Sequence, residues 1–123
     1  MNPTPRDRVW IRDLRVRSRV GSRPDDRREK RDLVVTLALH ADLARAGQSD
    51  DLADSIDYSH LKKQIVAALD ATPIETLERA AELVASLALA DRRACAVDVS
   101  VGFAPDMACA RFREVTISRR QQG

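Results

Sequence analysis

Few side chains in this 123-residue sequence are equipped for chemistry, and they are widely spaced. Tyr58 is the only tyrosine and one of four aromatic residues. It closes a stretch from Asp42 that is too polar and irregular for a core element and too particular in its order for a generic connection. The chain has three lysines, Lys30, Lys62 and Lys63. His40 and His60 stand alone, and Cys95 and Cys109 form no CxxC, so the spacing expected of a metal site is missing. Carboxylates and a single phenol remain for proton transfer and polar recognition. On spacing alone, Glu78 reads as a solvated helix-surface residue and Tyr58 as a ring packed at a helix start.

The elements that must position these groups follow from periodicity. Residues 9–20 alternate, with Leu14, Val16 and Val20 facing one way and Asp13, Arg15, Arg17 and Arg19 the other, which predicts a strand with one wet face. Gly21 ends it, and a charged loop follows from Ser22 to Lys30. Leu33, Val35, Leu37, Leu39 and Ala41 mark a second strand and complete a hairpin. Beyond the polar crossover, Asp57 or Ser59 can cap a helix whose Leu61, Ile65 and Leu69 form an apolar stripe. Thr72-Pro73-Ile74-Glu75 reads as a capping box opening a second helix that runs to about Leu89, with Leu77, Ala81, Val84 and Ala88 on its apolar face. Cys95, Val97, Val99 and Val101 mark a third strand, and Phe112, Val115 and Ile117 a fourth. The change of parity between Phe112 and Val115 predicts a bulge near Arg113 and Glu114.

The order β-β-α-α-β-β predicts an α+β domain with a four-stranded antiparallel sheet and two helices on one face. The length fits a single domain, with an ordered core over about residues 9–118 and flexible polar ends. Open edges on such a sheet invite pairing, so an oligomer closed into a β-barrel is expected. With 44% hydrophobic and 33% charged residues the chain should be soluble. No apolar run approaches the roughly 18–20 residues that cross a bilayer, and the first residues lack a secretory apolar core. The cytoplasm is therefore the expected location, with no membrane partner and with both cysteines as free, buried thiols. Ten arginines between Arg6 and Arg31 crowd the first quarter of the chain. Acidic residues intersperse them and few aromatics are available for stacking, so a solvated strand face is preferred to a nucleic-acid surface.

Three segments carry a resemblance to a known family: Ile11-Arg12-Asp13-Leu14-Arg15-Val16-Arg17 leading to Gly21, the crossover ending Asp57-Tyr58-Ser59, and Leu77-Glu78-Arg79-Ala80-Ala81-Glu82-Leu83-Val84-Ala85. Together they resemble the dihydroneopterin aldolase and dihydroneopterin triphosphate epimerase family, over about Val9 to Ser118. The resemblance implies the tunnelling fold, in which subunits join their sheets into a barrel and bind purines or pterins at subunit interfaces. It implies a homo-oligomer, a tetramer or an octamer of paired tetramers, and a small pterin as partner with no cofactor. Glu78 matches the glutamate that grips the pterin's aminopyrimidinone edge, and Leu77 the position whose backbone adds a hydrogen bond. Tyr58 matches a tyrosine that reaches the substrate across the interface and shuttles a proton. Asp26 stands where the family has a glutamate after the first strand. One position departs from the pattern: Phe103 occupies the place of a lysine that helps take a proton from the substrate's side-chain hydroxyl. The activity implied is cleavage of dihydroneopterin to 6-hydroxymethyl-dihydropterin and glycolaldehyde. A pterin epimerase or isomerase, or a non-catalytic pterin-binding paralogue, is the alternative.

Overall fold

The computed structural model describes residues 5–105 and 113–122. Within them lie four strands, β1 (Arg8–Ser18), β2 (Arg31–His40), β3 (Ala96–Phe103) and β4 (Glu114–Arg120), and three helices, α1 (Ala44–Ser49), α2 (Tyr58–Ala71) and α3 (Leu77–Leu89). The strands form one antiparallel sheet in the order β1-β2-β3-β4, which leaves β1 and β4 at its edges.

Alternation on the two central strands builds the core. Val35, Leu37 and Leu39 face Val101, Val99 and Val97 across the β2–β3 ladder, and all six are fully buried. Ile65 and Leu69 of α2 and Ala81, Val84, Ala85 and Ala88 of α3 cover that face. The alanines keep the surface of α3 thin, so that helix can lie close on β3 and β4. Asp57 caps α2, its Oδ1 accepting the His60 N–H at 3.0 Å.

Several details differ from the sequence expectations. The capping box does not form at Thr72, which instead follows the last residue of α2; α3 begins one turn later, where Thr76 Oγ1 accepts the Arg79 N–H at 3.1 Å. The crossover contains the short helix α1 and buries Ile56. Cys95 is an exposed free thiol, because β3 starts after it; Cys109 lies outside the described residues. The bulge expected in the fourth strand is not seen in its described part, where Glu114 to Arg120 pair without a shift; Phe112 lies outside the described residues. A bulge occurs in β1 instead. Arg12 and Asp13 together oppose Thr36, Asp13 takes a left-handed φ of 54°, and its N–H donates to Thr36 Oγ1 at 3.0 Å. That extra residue lets Ile11 and Val16, of opposite parity, bury on the same face.

One connection outside the sheet fixes the end of the molecule where α3 begins. Val20 forms an isolated parallel bridge with Ile74: the Ile74 N–H donates to the Arg19 carbonyl at 2.9 Å and the Gly21 N–H to the Ile74 carbonyl at 3.0 Å. Both side chains are buried.

On the far face of the sheet, at its other end, His40 Nε2 and Asp98 Oδ2 lie 2.7 Å apart, and Ser118 Oγ donates to Asp98 Oδ1 at 2.7 Å. Burial pushes the Asp98 carboxyl upward, but the hydrogen bonds from His40 and Ser118 outweigh it and hold the group below the usual carboxylate range. Its stabilising contribution is therefore complete at neutral pH and fades as acid takes the pH below about 4. Two expectations follow for denaturant titrations. Asp98→Asn should cost about 1 kcal/mol at pH 7 and flatten the acid-side loss of stability. Thr76→Ala should also cost about 1 kcal/mol, whereas Thr72→Ala should change stability by less than about 0.5 kcal/mol; equal effects at the two threonines would contradict the observed helix start.

Candidate functional site

The bridge at Val20 and Ile74 brings the loop after β1 against the first turn of α3, and a groove of about 760 Å³ opens between them and the ends of β2, β3 and β4. Four of the five expected site residues line it. Asp26 comes from a 3₁₀ turn (Pro24–Arg27), Leu77 and Glu78 from the start of α3, and Phe103 from the end of β3. Leu77 is buried, as its apolar side chain requires, while Glu78 is exposed to the groove. Both occupy the first helical turn, whose N–H groups have no partner within the helix and whose dipole favours a carboxylate.

The loop is held by specific contacts. Arg27 Nη1 donates to the Gly21 carbonyl at 2.6 Å and lies 4.0 Å from Glu75 Oε1. Glu75 is thus on the groove wall and outside the helix, not part of a cap. Gly21 allows the loop to close: a Cβ built there would lie 2.1 Å from the Asp26 Cβ. Asp26 Oδ2 in turn accepts the Arg23 N–H at 3.3 Å.

Sequence reasoning gave no site role to three further charged residues of the groove, Arg31, Arg113 and Glu114. The Arg31 guanidinium lies over the Phe103 ring, 4.1 Å from its centroid. The signal for it was present only as one arginine among ten in the basic first quarter. Lys30, the nearest lysine in sequence, is committed elsewhere. Its Nζ donates to Asp70 Oδ1 at 2.6 Å, and that hydrogen bond holds the Asp70 carboxyl below its ordinary range. Among the described residues no group of His, Cys, Asp and Glu could hold a metal ion.

Tyr58 is not in this groove. It begins α2, is 47% exposed, and stands at the end of the helix pair where Asp57, His60 and Leu61 meet Leu87, Ala88 and Ala90. The length of α3, roughly 20 Å for its 13 residues, separates that end from Glu78.

A four-stranded antiparallel sheet backed by α2 and α3, with a polar groove at the first turn of α3, defines a protein of the tunnelling-fold class. Comparison with known proteins is specific. The family model FolB, dihydroneopterin aldolase, matches residues 9–118. The dihydroneopterin aldolase of Streptomyces coelicolor is 29% identical over 112 residues, which cover 91% of this chain and 94% of that protein. The crystal structure of Escherichia coli dihydroneopterin aldolase in complex with neopterin superposes with a TM-score of 0.84 at 28% identity, covering 92% of this chain and 98% of that one. An 81-residue stretch, 66% of this chain, is 31% identical to the folic acid synthesis protein FOL1 of Dictyostelium discoideum but spans 12% of its length. The chain belongs to the dihydroneopterin aldolase family of aldolase-type lyases. No described helix is long and apolar enough to cross a membrane.

The close approach at Gly21 can be tested directly. Gly21→Ala forces the Asp26 turn away from the strand end and should cost about 1–3 kcal/mol in chemical denaturation; a neutral substitution would show that the turn is not held there.

Proposed function

We propose that this groove binds the aminopyrimidinone edge of a dihydropterin and that the protein cleaves dihydroneopterin to 6-hydroxymethyl-dihydropterin and glycolaldehyde. The convergence of Glu78, Leu77, Asp26 and Phe103, from three separate segments of chain, on one groove carries the reading. The E. coli relative crystallised with neopterin supports the choice of ligand. Glu78 accepts the ring N–H and the exocyclic amine in a charge-assisted pair, and a free N–H or carbonyl at Leu77 adds a further hydrogen bond.

The cleavage removes the proton of the 2′-hydroxyl, breaks the bond between the first and second side-chain carbons, and passes the electron pair into the C=N bond at ring position 5. The enamine is then protonated on the first side-chain carbon. The substrate supplies its own electron sink, so the protein has to position it and move protons. Tyr58 is the proton carrier in this reading. Its distance from Glu78 within one chain requires that it come from a neighbouring subunit, so the active form is a homo-oligomer, a tetramer or octamer, in which edges β1 and β4 are joined.

Phe103 cannot take a proton. Loss of a general base typically lowers the rate about 10²–10⁴-fold, or roughly 3–5 kcal/mol of barrier, while the binding contacts stay intact. The expected protein is a slow aldolase with full pterin affinity. The apolar Phe103 ring also favours a second reading, an epimerase, isomerase or binding protein for a modified pterin.

Fluorescence titration with neopterin should give saturable binding that Glu78→Ala weakens about tenfold or more. If wild-type protein gives no saturable signal with neopterin or dihydroneopterin, the pterin site is wrong. Release of glycolaldehyde from dihydroneopterin should rise on Phe103→Lys. Zero product from both proteins would favour the second reading.

A further inference from the structure

We infer that a hollow on the far face of the sheet, at the end away from the groove, binds a small multivalent oxyanion such as inorganic pyrophosphate. The site is independent of the pterin reading, since it shares no residue with the groove. Three observations carry it.

The first is a convergence of cations from both edges of the sheet. Arg8 opens β1 opposite His40, and Arg120 closes β4 opposite Ala96. With Arg6 and Arg119 they line a hollow of about 470 Å³. Arg119 is engaged, its Nε donating to Glu82 Oε1 of α3 at 3.0 Å. Arg6, Arg8 and Arg120 have no ion-pair partner among the described residues. Like charges gathered in one hollow repel each other, and an anion seated among them reverses the sign of that interaction.

The second is the state of the carboxylate. Asp98 is the only acidic residue lining the hollow. Its Oδ2 is 2.7 Å from His40 Nε2 and its Oδ1 accepts the Ser118 hydroxyl at 2.7 Å. Each oxygen is thus already served from within the sheet, and neither forms an ion pair with an arginine. One carboxylate held in this way makes a poor cation site and leaves the guanidinium groups available.

The third is His40 itself. It lines the hollow, is 8% exposed, and its Nδ1 has no hydrogen-bond partner among the described residues. Buried polar atoms are rarely left so. With Nε2 held by Asp98, a protonated ring has an Nδ1–H donor without an acceptor, and an oxyanion in the hollow supplies one after a small turn of the ring. A guanidinium forks onto one phosphoryl group through two parallel hydrogen bonds. Three unpaired arginines exceed what a single carboxylate ligand satisfies, whereas two linked phosphoryl groups offer acceptors to all of them.

The full-length protein should be titrated calorimetrically with pyrophosphate and with acetate, at low and high salt, while the imidazole resonances of His40 and His60 are followed by NMR. Pyrophosphate should bind saturably at one site per chain, at least about tenfold more tightly than acetate, and more weakly as salt rises. It should move the His40 resonances and leave those of the exposed His60 in place. Arg6→Gln and Arg120→Gln should each weaken binding about tenfold, and Arg31→Gln, in the groove, should change it by less than about twofold; melting curves check that the variants are folded. Absence of saturable pyrophosphate binding overturns the inference, as does equal affinity for acetate. Binding that survives Arg6→Gln and Arg120→Gln, or that is lost with Arg31→Gln, places the anion elsewhere and overturns it too. A single-stranded oligonucleotide that binds where pyrophosphate does not would replace the hollow with an extended basic surface.

Discussion

Two backbone hydrogen bonds between residues 19–21 and Ile74 hold the candidate site together. They join the strand end of a hairpin to the turn between two helices, segments more than fifty residues apart in the chain. Val20 and Ile74 are 1% and 3% exposed, so the bridge is shielded from water that would compete for its bonds. Once it is made, the path of the 3₁₀ turn carrying Asp26 is narrow, because Gly21 leaves room for one side chain beside it and no more. The first turn of α3 then faces that loop, and a groove results whose walls come from different parts of the chain. Without the bridge, Asp26 and Glu78 would sit on unrelated pieces of surface.

The rest of the molecule is a support for that geometry. Fully buried aliphatic residues on β2 and β3 form a flat apolar floor, and the alanine-rich face of α3 lies close on it. A rigid helix on a rigid sheet places its first turn, and with it Glu78, reproducibly. This matters because hydrogen-bonded recognition of a heterocycle depends on sub-ångström placement. The bulge at Arg12 and Asp13 serves the same end, since it keeps both halves of β1 in register with the core despite their opposite parity.

The groove is lined by carboxylates and arginines and by no lysine. Lys30 is tied to Asp70, and position 103 carries an aromatic ring with the Arg31 guanidinium over it. Glu78 sits on the first turn of α3 and Phe103 with Arg31 on the strand ends, so opposite walls of the groove carry opposite charge.

Much of the architecture was legible in the residue order. Alternation at Leu33 to Leu39 and at Val97 to Val101 marked the central strands, and the spacing of Leu61, Ile65 and Leu69 marked α2, because burial on one face imposes those periods directly. The candidate site was legible as a set of residue types matched to a family pattern, Glu78 and Asp26 among them, but not as a place. Thr72 carried the local signature of a cap as well as Thr76 did, and packing against β1 carried α2 through to Ala71. Cys95 fitted the alternation of β3, yet the strand begins one residue later and leaves it exposed. Sequence by itself determined which residues seek the core and which chemical groups the chain possesses, since these depend on side-chain type and short-range spacing. Tertiary structure decided which groups meet: it set Arg31 on Phe103, drew Lys30 to Asp70, and held Tyr58 away from Glu78, because contacts between distant segments follow from how a sheet and two helices pack and not from any local period.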